Sequence, residues 1–461
     1  MASLGKYPAR AHAAKVASAL VAAGGSREDA VIYLQGDCHS CRHDTDTEQH
    51  FRQESNFYYL SGVELAGFHL LYHLGRERLV LLPTRMPADE VVWHGQPPSL
   101  EDYAGRYDAD EMRYADELPA LLDHWRPKTL YTLPRQKLTA LGTSWPHKLA
   151  VDTEHLADAL AAARLIKDAH EVALMQLANK ISSGAHVKLM QQARMGSNER
   201  ELDALFTYEV TRQGCNQLAY HSIVGGGKHS AVLHYGLNNA TLPQKPHELV
   251  LVDAGGEYNC YAADITRTWP IGGKFSGEAR ILYEIVLSMQ KAVLEQIKPG
   301  VNWEDMHRLA MRICVDGLVA ARILKGSIDE LHQHHMGAIF FPHGLGHSIG
   351  LDVHDVGGYP KGMPRIDEPG LRYLRMRRKL EEGMVVTVEP GCYFVDTLLD
   401  DALEDPVKAA YINADVLACF RPVGGVRIED CVVITANGYE NLTSVPKEIS
   451  EIEALMASAS H

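Results

Sequence analysis

Chain length is the feature that most constrains what this sequence can fold into, because a single hydrophobic core stops growing near about 250–300 residues. The chain has 461 residues, so we expect two domains. Near Leu165 the pattern changes from short alternating segments to long amphipathic helices. We therefore predict one domain over residues 1–165 and a second over residues 166–461.

The first domain has the pattern of an α/β fold. Helical spacing is present over residues 10–23, 116–124 and 154–165, and short apolar runs at 31–34 and 78–82 predict strands. Cys38 and Cys41 have the spacing of a zinc or redox pair, but no second pair follows at a distance that zinc would need. We predict no catalytic site in this domain.

The second domain has an α+β pattern with mainly antiparallel strands. We predict helices over residues 168–192 and 198–213, with Ser197 as the N-cap of the second, and a further helical region at about 277–324. Segments 249–253 and 261–269 flank a turn-rich stretch, which predicts a hairpin that turns at Tyr258 and Asn259. Residues 384–389 and 426–435 are two more segments with strand-like composition.

Charge and hydropathy narrow the functional classes. The chain has 59 acidic against 45 basic residues, a formal charge of −14, so it offers no basic stripe for nucleic acid. No segment approaches the 18 or more uncharged apolar residues of a membrane span, and the N-terminal pattern is not that of a secretory signal. Eight cysteines, mostly isolated, fit a reducing, cytoplasmic setting. Serine-hydrolase chemistry is not expected.

Four acidic residues of the second domain lie in or at the end of apolar, strand-like segments. Asp253 ends one such segment, and Asp264 lies on the returning strand, so the hairpin would set the two carboxylates side by side. Glu389 follows another apolar run, and Glu429 alternates with Arg427 in a third. Each acid alone is compatible with a helix cap or a surface position. Together they would repel and cost several kcal/mol apiece if buried without a counter-charge, so we predict a binuclear metal site.

Histidines complete the predicted ligand set. Residues 341–355 contain His343, His347 and His354 among glycines, which favours a backbone that passes close to a bulky or charged group. Four carboxylates and one imidazole suit Mn²⁺ or Mg²⁺, and Co²⁺ or Zn²⁺ could also bind. Two adjacent divalent ions activate water and polarise a carbonyl. The residues therefore predict metal-assisted hydrolysis.

At these residues the sequence resembles the prolidase and aminopeptidase P group of metallopeptidases. This group has a pita-bread catalytic domain, of the creatinase and methionine aminopeptidase type. The matching stretches are Val252–Gly255, Asp264–Thr268, His343–His347, Val388–Gly391 and Arg427–Asp430. In the first domain, residues 51–62 resemble a stretch shared by the eukaryotic members. The resemblance implies that the first domain caps the active site and helps to form a homodimer.

The resemblance also implies roles for individual residues. The second histidine of the His-Gly-x-Gly-His motif, His347, joins Asp253, Asp264, Glu389 and Glu429 as a metal ligand. Tyr220 and His234 fall on active-site positions of the family, and His343 and His354 face the substrate or support the ligands. We expect Glu389 to shuttle a proton, His234 or His354 to stabilise the tetrahedral intermediate, and Arg427 to orient Glu429.

The implied substrates are small peptides with proline at the second position. Xaa-Pro dipeptides are the main hypothesis, because Arg375 falls where prolidases carry the arginine that binds the proline carboxylate. Arg372, Arg377 and Arg378 are interpreted as a solvated basic loop. The alternative is an Xaa-Pro aminopeptidase that acts on longer peptides. A non-catalytic interaction protein on the same fold is disfavoured because all five ligand positions are filled.

Overall fold

The computed structural model describes residues 5–142, 145 and 147–458, and its contacts divide the chain after Arg164 into two units. The first unit extends to Arg164 and the second begins at Leu165. The predicted domain boundary near residue 165, and the capping and dimerisation roles of the first domain, stay predictions. Among the described helices, none is both long and apolar enough to cross a bilayer.

The first unit is built on one mixed sheet of six strands. Its strand order is β4-β3-β2-β1-β5-β6, with β1, β2 and β3 antiparallel and the outer pairs parallel. Its helices and strands, in chain order, are α1 (Ala9–Ala22), β1 (Ala30–Gln35), α2 (Ser55–Ser61), β2 (Phe68–His73), β3 (Arg78–Pro83), α3 (Val91–His94), α4 (Leu100–Arg106), β4 (Glu111–Met112), α5 (Leu118–Trp125), β5 (Thr129–Tyr131), β6 (Ala150–Asp152) and α6 (His155–Leu165). The helices and strands predicted from the sequence are present, so the α/β prediction is confirmed.

The second unit is α+β. Its elements are α7 (Ala169–Gln192), α8 (Glu199–Thr211), β7 (Gln217–Leu218), β8 (Ile223–Gly226), β9 (Leu249–Asp253), β10 (Gly256–Tyr258), β11 (Tyr261–Ala262), β12 (Thr266–Pro270), α9 (Gly277–Gln296), α10 (Trp303–Ala320), α11 (Ile328–Gln333), α12 (Gly337–Phe340), β13 (Val385–Val388), β14 (Gly391–Tyr393), α13 (Asp396–Glu404), α14 (Pro406–Ala409), α15 (Ala414–Phe420), β15 (Gly425–Arg427), β16 (Asp430–Thr435), β17 (Gly438–Asn441) and α16 (Ile449–Ala457). The paired strands of this unit are antiparallel, as predicted.

The predicted hairpin is present, with its turn one residue later than expected. Tyr258 pairs with Tyr261, and Asn259 and Cys260 form the turn with φ of 46° and 62°. In the same register β9 pairs with β12, and Asp253 lies opposite Thr266. Gly255 permits this close approach, because a Cβ there would lie 1.8 Å from the Ala263 carbonyl oxygen. The hairpin therefore brings the segment that carries Asp264 against the end of β9.

The N-cap of α8 is not the one predicted. Asn198, rather than Ser197, accepts a hydrogen bond from the Arg200 amide, and the Glu201 side chain accepts one from the Asn198 amide. This reciprocal capping box requires an acid three residues after the cap, and only Asn198 has one. The predicted helical region at about 277–324 is two helices, α9 and α10.

Candidate active site

All eleven residues predicted for the site line one cavity of about 540 Å³ in the second unit. They are Tyr220, His234, Asp253, Asp264, His343, His347, His354, Arg375, Glu389, Arg427 and Glu429. The cavity is within the range of small-molecule sites, and its lining combines acids, imidazoles and guanidinium groups with apolar positions such as Ile223 and Val353. The structure thus brings residues from distant parts of the chain to one place.

The ends of antiparallel strands carry the four acids. Asp253 is the last residue of β9, and Glu389 directly follows β13. Asp264 precedes β12, and Glu429 lies between β15 and β16 with a backbone bridge to Thr266. One donor atom each from Asp264, His347 and Glu429 lie within 4.8 Å of one another, close enough to hold one metal ion.

Burial raises the pKa of three of these acids, Asp264, Glu389 and Glu429. Burial raises the pKa of Glu389 to about 7, where repulsion from Asp264 adds to burial and His347 opposes both. Burial also raises the pKa of Glu429 well above its ordinary value, with further repulsion from Asp264 and Glu389. Burial is also the main cause of the raised pKa of Asp264. A cation among these oxygens would remove the repulsion, so the donor set fits divalent metal ions.

His347 is oriented as a metal-ligating histidine would be. Its Nδ1 donates to the Ser348 carbonyl at 3.0 Å, so the neutral ring carries its lone pair on Nε2. Nε2 lies 3.4 Å from an oxygen of Asp264 and 3.4 Å from an oxygen of Glu389. Burial opposes protonation of His347, but the two carboxylates together hold its pKa above the ordinary value. Nε2 is therefore aimed at the carboxylate cluster.

His343 has both ring nitrogens engaged elsewhere. Its Nδ1 donates to the Gly344 carbonyl at 2.7 Å, so Nε2 accepts from the Tyr393 hydroxyl at 2.8 Å. Burial lowers the pKa of His343 to about 3, so the ring is neutral. This arrangement supports His347, rather than His343, as the nitrogen ligand.

The Tyr220 hydroxyl lies between two of the predicted ligands. It is 2.6 Å from Oδ1 of Asp253 and 2.6 Å from Oδ1 of Asp264, and it donates to one of them at a time. Burial and these carboxylates raise the pKa of Tyr220 well above its ordinary value, so the phenol keeps its proton. In this geometry Tyr220 spaces the two acids. Its predicted catalytic role stays a prediction.

Arg427 contacts a different acid from the one expected. Its Nη2 lies 2.6 Å from Oδ2 of Asp253, and its Nε donates to the Thr266 hydroxyl at 3.0 Å. Thr266 in turn donates to Oε2 of Glu429 at 2.6 Å. Arg427 therefore reaches Glu429 only through Thr266, and its direct ion pair is with Asp253. Sequence reasoning assigned no role to Thr266, although it stands two residues after Asp264.

Three residues line the cavity as candidates for contact with a substrate. Burial lowers the pKa of His354 to about 3, and nearby His347 and Arg375 lower it further, so the ring is neutral and can donate one N–H. The His354 ring meets His347 edge-on at 4.4 Å. His234 and Arg375 are exposed, with their side chains toward the same cavity.

The neighbouring arginines of the Arg375 loop have other partners. Arg372 pairs with Asp367 at 3.4 Å, and Arg377 donates to the Pro364 carbonyl at 2.8 Å. Arg378 donates to the Gly357 carbonyl at 2.7 Å. These contacts hold the loop, and Arg375 alone of the four lines the cavity. Arg377 and Arg378 are partly buried, so the interpretation of a solvated loop fits Arg372 alone.

A buried acid positions the segment that carries His234. Glu199 is fully buried and accepts hydrogen bonds from the Gly226 amide at 3.0 Å and the Ala240 amide at 2.9 Å. It also accepts from the Tyr235 hydroxyl at 2.8 Å. Sequence reasoning missed this residue, because its partners lie about 30–40 positions away in the chain.

Residues 346–350 match the Gly-x-Ser-x-Gly spacing of a serine-hydrolase elbow. The structure does not support that chemistry. Ser348 is 2% exposed, and its hydroxyl lies 3.7 Å from the Met376 sulfur. The segment is not a turn from a strand into a helix, which the elbow requires. Ser348 instead supplies the carbonyl that orients His347.

Two protein-family models match the chain. Residues 173–436 match metallopeptidase family M24, and residues 10–131 match the N-terminal domain of aminopeptidase P. The first match covers most of the second unit, including the eleven predicted residues that line the cavity.

Curated relatives match almost the whole chain. A human protein named Xaa-Pro dipeptidase is 44% identical over 439 residues, which cover 93% of this chain and 88% of the relative. A Podospora anserina protein named probable Xaa-Pro aminopeptidase is 42% identical over 462 residues, which cover 99% of this chain and 98% of the relative.

Solved structures share the fold. Aminopeptidase PepP of Pseudomonas aeruginosa superposes with a TM-score of 0.81 and 32% identity. The match covers 98% of this chain and 99% of the PepP chain. Escherichia coli aminopeptidase P, solved with the inhibitor Pro-Leu, has a TM-score of 0.81 with 30% identity and 99% coverage of both chains. These matches confirm the predicted fold class, including the pita-bread catalytic domain. The chain is therefore a metallopeptidase and belongs to family M24.

Proposed function

We propose that the protein hydrolyses the peptide bond before proline in Xaa-Pro dipeptides. The observation that carries this proposal is the presence of Arg375 in the same cavity as the carboxylate cluster and His354. A dipeptide places its terminal carboxylate directly on the proline, and a guanidinium is the group best suited to bind it. The name of the human relative, Xaa-Pro dipeptidase, supports the same substrate class.

We assign the metal ligands to Asp253, Asp264, His347, Glu389 and Glu429, with two divalent ions, Mn²⁺ in the first place and Co²⁺, Mg²⁺ or Zn²⁺ as alternatives. The support is the raised pKa of Glu389 and Glu429 in the crowded cluster and Nε2 of His347, which is aimed into it. Bound divalent ions would activate a water molecule and polarise the scissile carbonyl.

The other residues bind, orient and move protons. Glu389 takes the proton from the attacking water and passes it to the proline nitrogen, which leaves as an amine. His354 and His234 offer N–H donors to the oxygen that becomes negative in the tetrahedral intermediate. Arg427 and Thr266 fix the orientation of Asp253 and Glu429, and Tyr220 keeps Asp253 and Asp264 apart.

A second candidate activity is release of the N-terminal residue from longer Xaa-Pro peptides. The observation that favours it is the naming of fungal relatives as probable Xaa-Pro aminopeptidases, such as that of Coccidioides posadasii at 42% identity over 463 residues. A longer peptide must extend past the proline. Its terminal carboxylate then lies at least one residue farther along the chain than the proline carboxylate of a dipeptide.

Hydrolysis of matched substrates by Mn²⁺-loaded protein distinguishes the two activities. We expect kcat/KM to be higher for Xaa-Pro than for Xaa-Pro-Yaa. Arg375→Ala removes a charge-assisted contact of about 1.5–3 kcal/mol, so the ratio of dipeptide to tripeptide kcat/KM should fall about 10- to 150-fold. Arg372→Ala is the matched control and should leave that ratio unchanged.

The ratio cancels general damage to the enzyme. If the wild type prefers tripeptides and Arg375→Ala does not move the ratio, the protein is an Xaa-Pro aminopeptidase and the dipeptidase proposal is wrong.

We also propose a cytoplasmic homodimer. The isolated cysteines support a reducing compartment. The family resemblance supports the dimer, which light scattering of the purified full chain would test by its mass.

A further inference from the structure

A second cavity of the second unit shares no lining residue with the active-site cavity. It measures about 300 Å³ and lies among α10, α11, the segment that leads into α12 and the stretch Glu368–Leu371. Its size corresponds to the small end of ligand sites in proteins. The activity proposed above uses none of its residues.

A buried histidine without partners lines this cavity. His307 is 1% exposed, and neither of its ring nitrogens has a hydrogen-bond partner among the described residues. Nε2 of His332, which also lines the cavity, is buried and lacks a partner within the same described set. Buried polar groups are nearly always satisfied, so these nitrogens call for a polar occupant of the cavity. Burial lowers the pKa of His307 to about 4, so the neutral ring can both donate and accept.

The charges at the cavity are one internal ion pair and two unpaired groups of opposite sign. Arg308 donates to both carboxylate oxygens of Glu368, at 3.2 and 3.0 Å, and also to Glu304 at 3.2 Å, so its charge is compensated. Arg312 and Asp329 are exposed, and neither side chain has a hydrogen bond or ion pair with another described residue.

Both unpaired charges lie near His332. Both line the same cavity as that ring. Burial lowers the pKa of His332, Arg312 lowers it further, and Asp316 and Asp329 raise it. Among the described residues that line the cavity, Arg312 is therefore one free cation and Asp329 one free anion, and Asp316 adds negative charge from outside the lining.

We propose that this cavity binds a free α-amino acid with an apolar side chain. The ligand carboxylate pairs with Arg312, the ammonium pairs with Asp329, and the side chain occupies the space beside Met311 and Leu371. The imidazole of His307 hydrogen-bonds to the polar end of the ligand or to a water molecule that accompanies it.

Two other ligand classes fit less well. A phosphate would meet only one unpaired guanidinium, since Arg308 is neutralised, and the Asp329 carboxylate would repel it. A metal ion is disfavoured because, within the described part of the chain, no three carboxylate or imidazole donors of this cavity come within 4.8 Å of one another.

Calorimetric titration of the metal-loaded full chain tests the proposal with three probes. L-leucine carries both charges, N-acetyl-L-leucine lacks the ammonium, and L-leucinamide lacks the carboxylate. We expect L-leucine to bind at least about 10-fold more tightly than either derivative, the loss expected for one charge-assisted contact. Comparable affinity for all three probes, or no binding of L-leucine, overturns the proposal.

Variants locate the binding. Arg312→Ala should weaken L-leucine at least about 10-fold and leave L-leucinamide unchanged, and Asp329→Asn should weaken L-leucine and leave N-acetyl-L-leucine unchanged. Arg280→Ala, which alters an exposed arginine on α9, is the matched control. If Arg375→Ala abolishes L-leucine binding and Arg312→Ala does not, the amino acid binds in the active site and the proposal is wrong.

Discussion

Thr266→Val isolates the hydroxyl that links Arg427 to Glu429. The two side chains have the same shape, so the substitution removes one hydrogen bond donated to Glu429 at 2.6 Å and one accepted from Arg427 at 3.0 Å. Both bonds are to charged groups and Thr266 is fully buried, so water cannot replace the hydroxyl. Losing such support for a ligand costs about 10- to 100-fold in metal affinity, or about 1.4–2.7 kcal/mol.

The assay for this variant is competition for Mn²⁺ against a chelator of known affinity. Thr266→Ser restores the hydroxyl and should bind Mn²⁺ within about threefold of the wild type, a difference of less than about 1 kcal/mol. Equal Mn²⁺ affinity in Thr266→Val and the wild type would refute the reasoning. Equal weakening in Thr266→Val and Thr266→Ser would show that packing, rather than the hydroxyl, matters.

Three further predictions concern the site and its supports. Chelation should abolish activity, and Mn²⁺ should restore it. Asp264→Asn should lower the metal content measured by elemental analysis. Activity in fully demetallated protein would contradict the metal assignment. His347→Ala should lose metal, whereas His343→Ala should keep most of it and lose turnover, and the reverse result would show that the ligand is misassigned. Glu199→Gln replaces one carboxylate oxygen by an NH₂ group that faces the N–H and O–H donors of Glu199's partners, so the free energy of unfolding in denaturant melts should fall by about 1–3 kcal/mol. Because these partners hold the segment that carries His234, KM should also rise. An unchanged KM would show that Glu199 does not act on the site.

The elements that the sequence predicts well are those with local signals. The hairpin between β9 and β12 follows from two apolar runs around a turn-rich stretch, and its register brings Asp253 and Asp264 to within hydrogen-bond reach of one hydroxyl. The N-cap of α8 was missed by one residue, although the acid three positions after Asn198 is a signal present in the sequence.

The supports of the site carry no such local signal. Thr266 acts on Glu429 across 163 positions of sequence, and Tyr393 acts on His343 across 50. A threonine or a tyrosine in a strand is common in any sheet, so only the fold distinguishes these two residues from packing residues. The direct ion pair of Arg427 with Asp253 has no local signal either, because strand alternation puts Arg427 beside Glu429, which it reaches only through Thr266.

Arg427 connects the two sides of the active-site cavity. On one side its guanidinium neutralises Asp253, which limits the repulsion within the carboxylate cluster. On the other side its Nη1 donates to the Tyr393 hydroxyl at 3.0 Å, and that hydroxyl donates to Nε2 of His343 at 2.8 Å. His343 is neutral because it is buried, and its one ring proton is on Nδ1, which donates to the Gly344 carbonyl. One buried guanidinium therefore contacts both a predicted ligand and the tyrosine that hydrogen-bonds to a histidine of the cavity. For this reason an Arg427 substitution cannot alter the metal cluster alone.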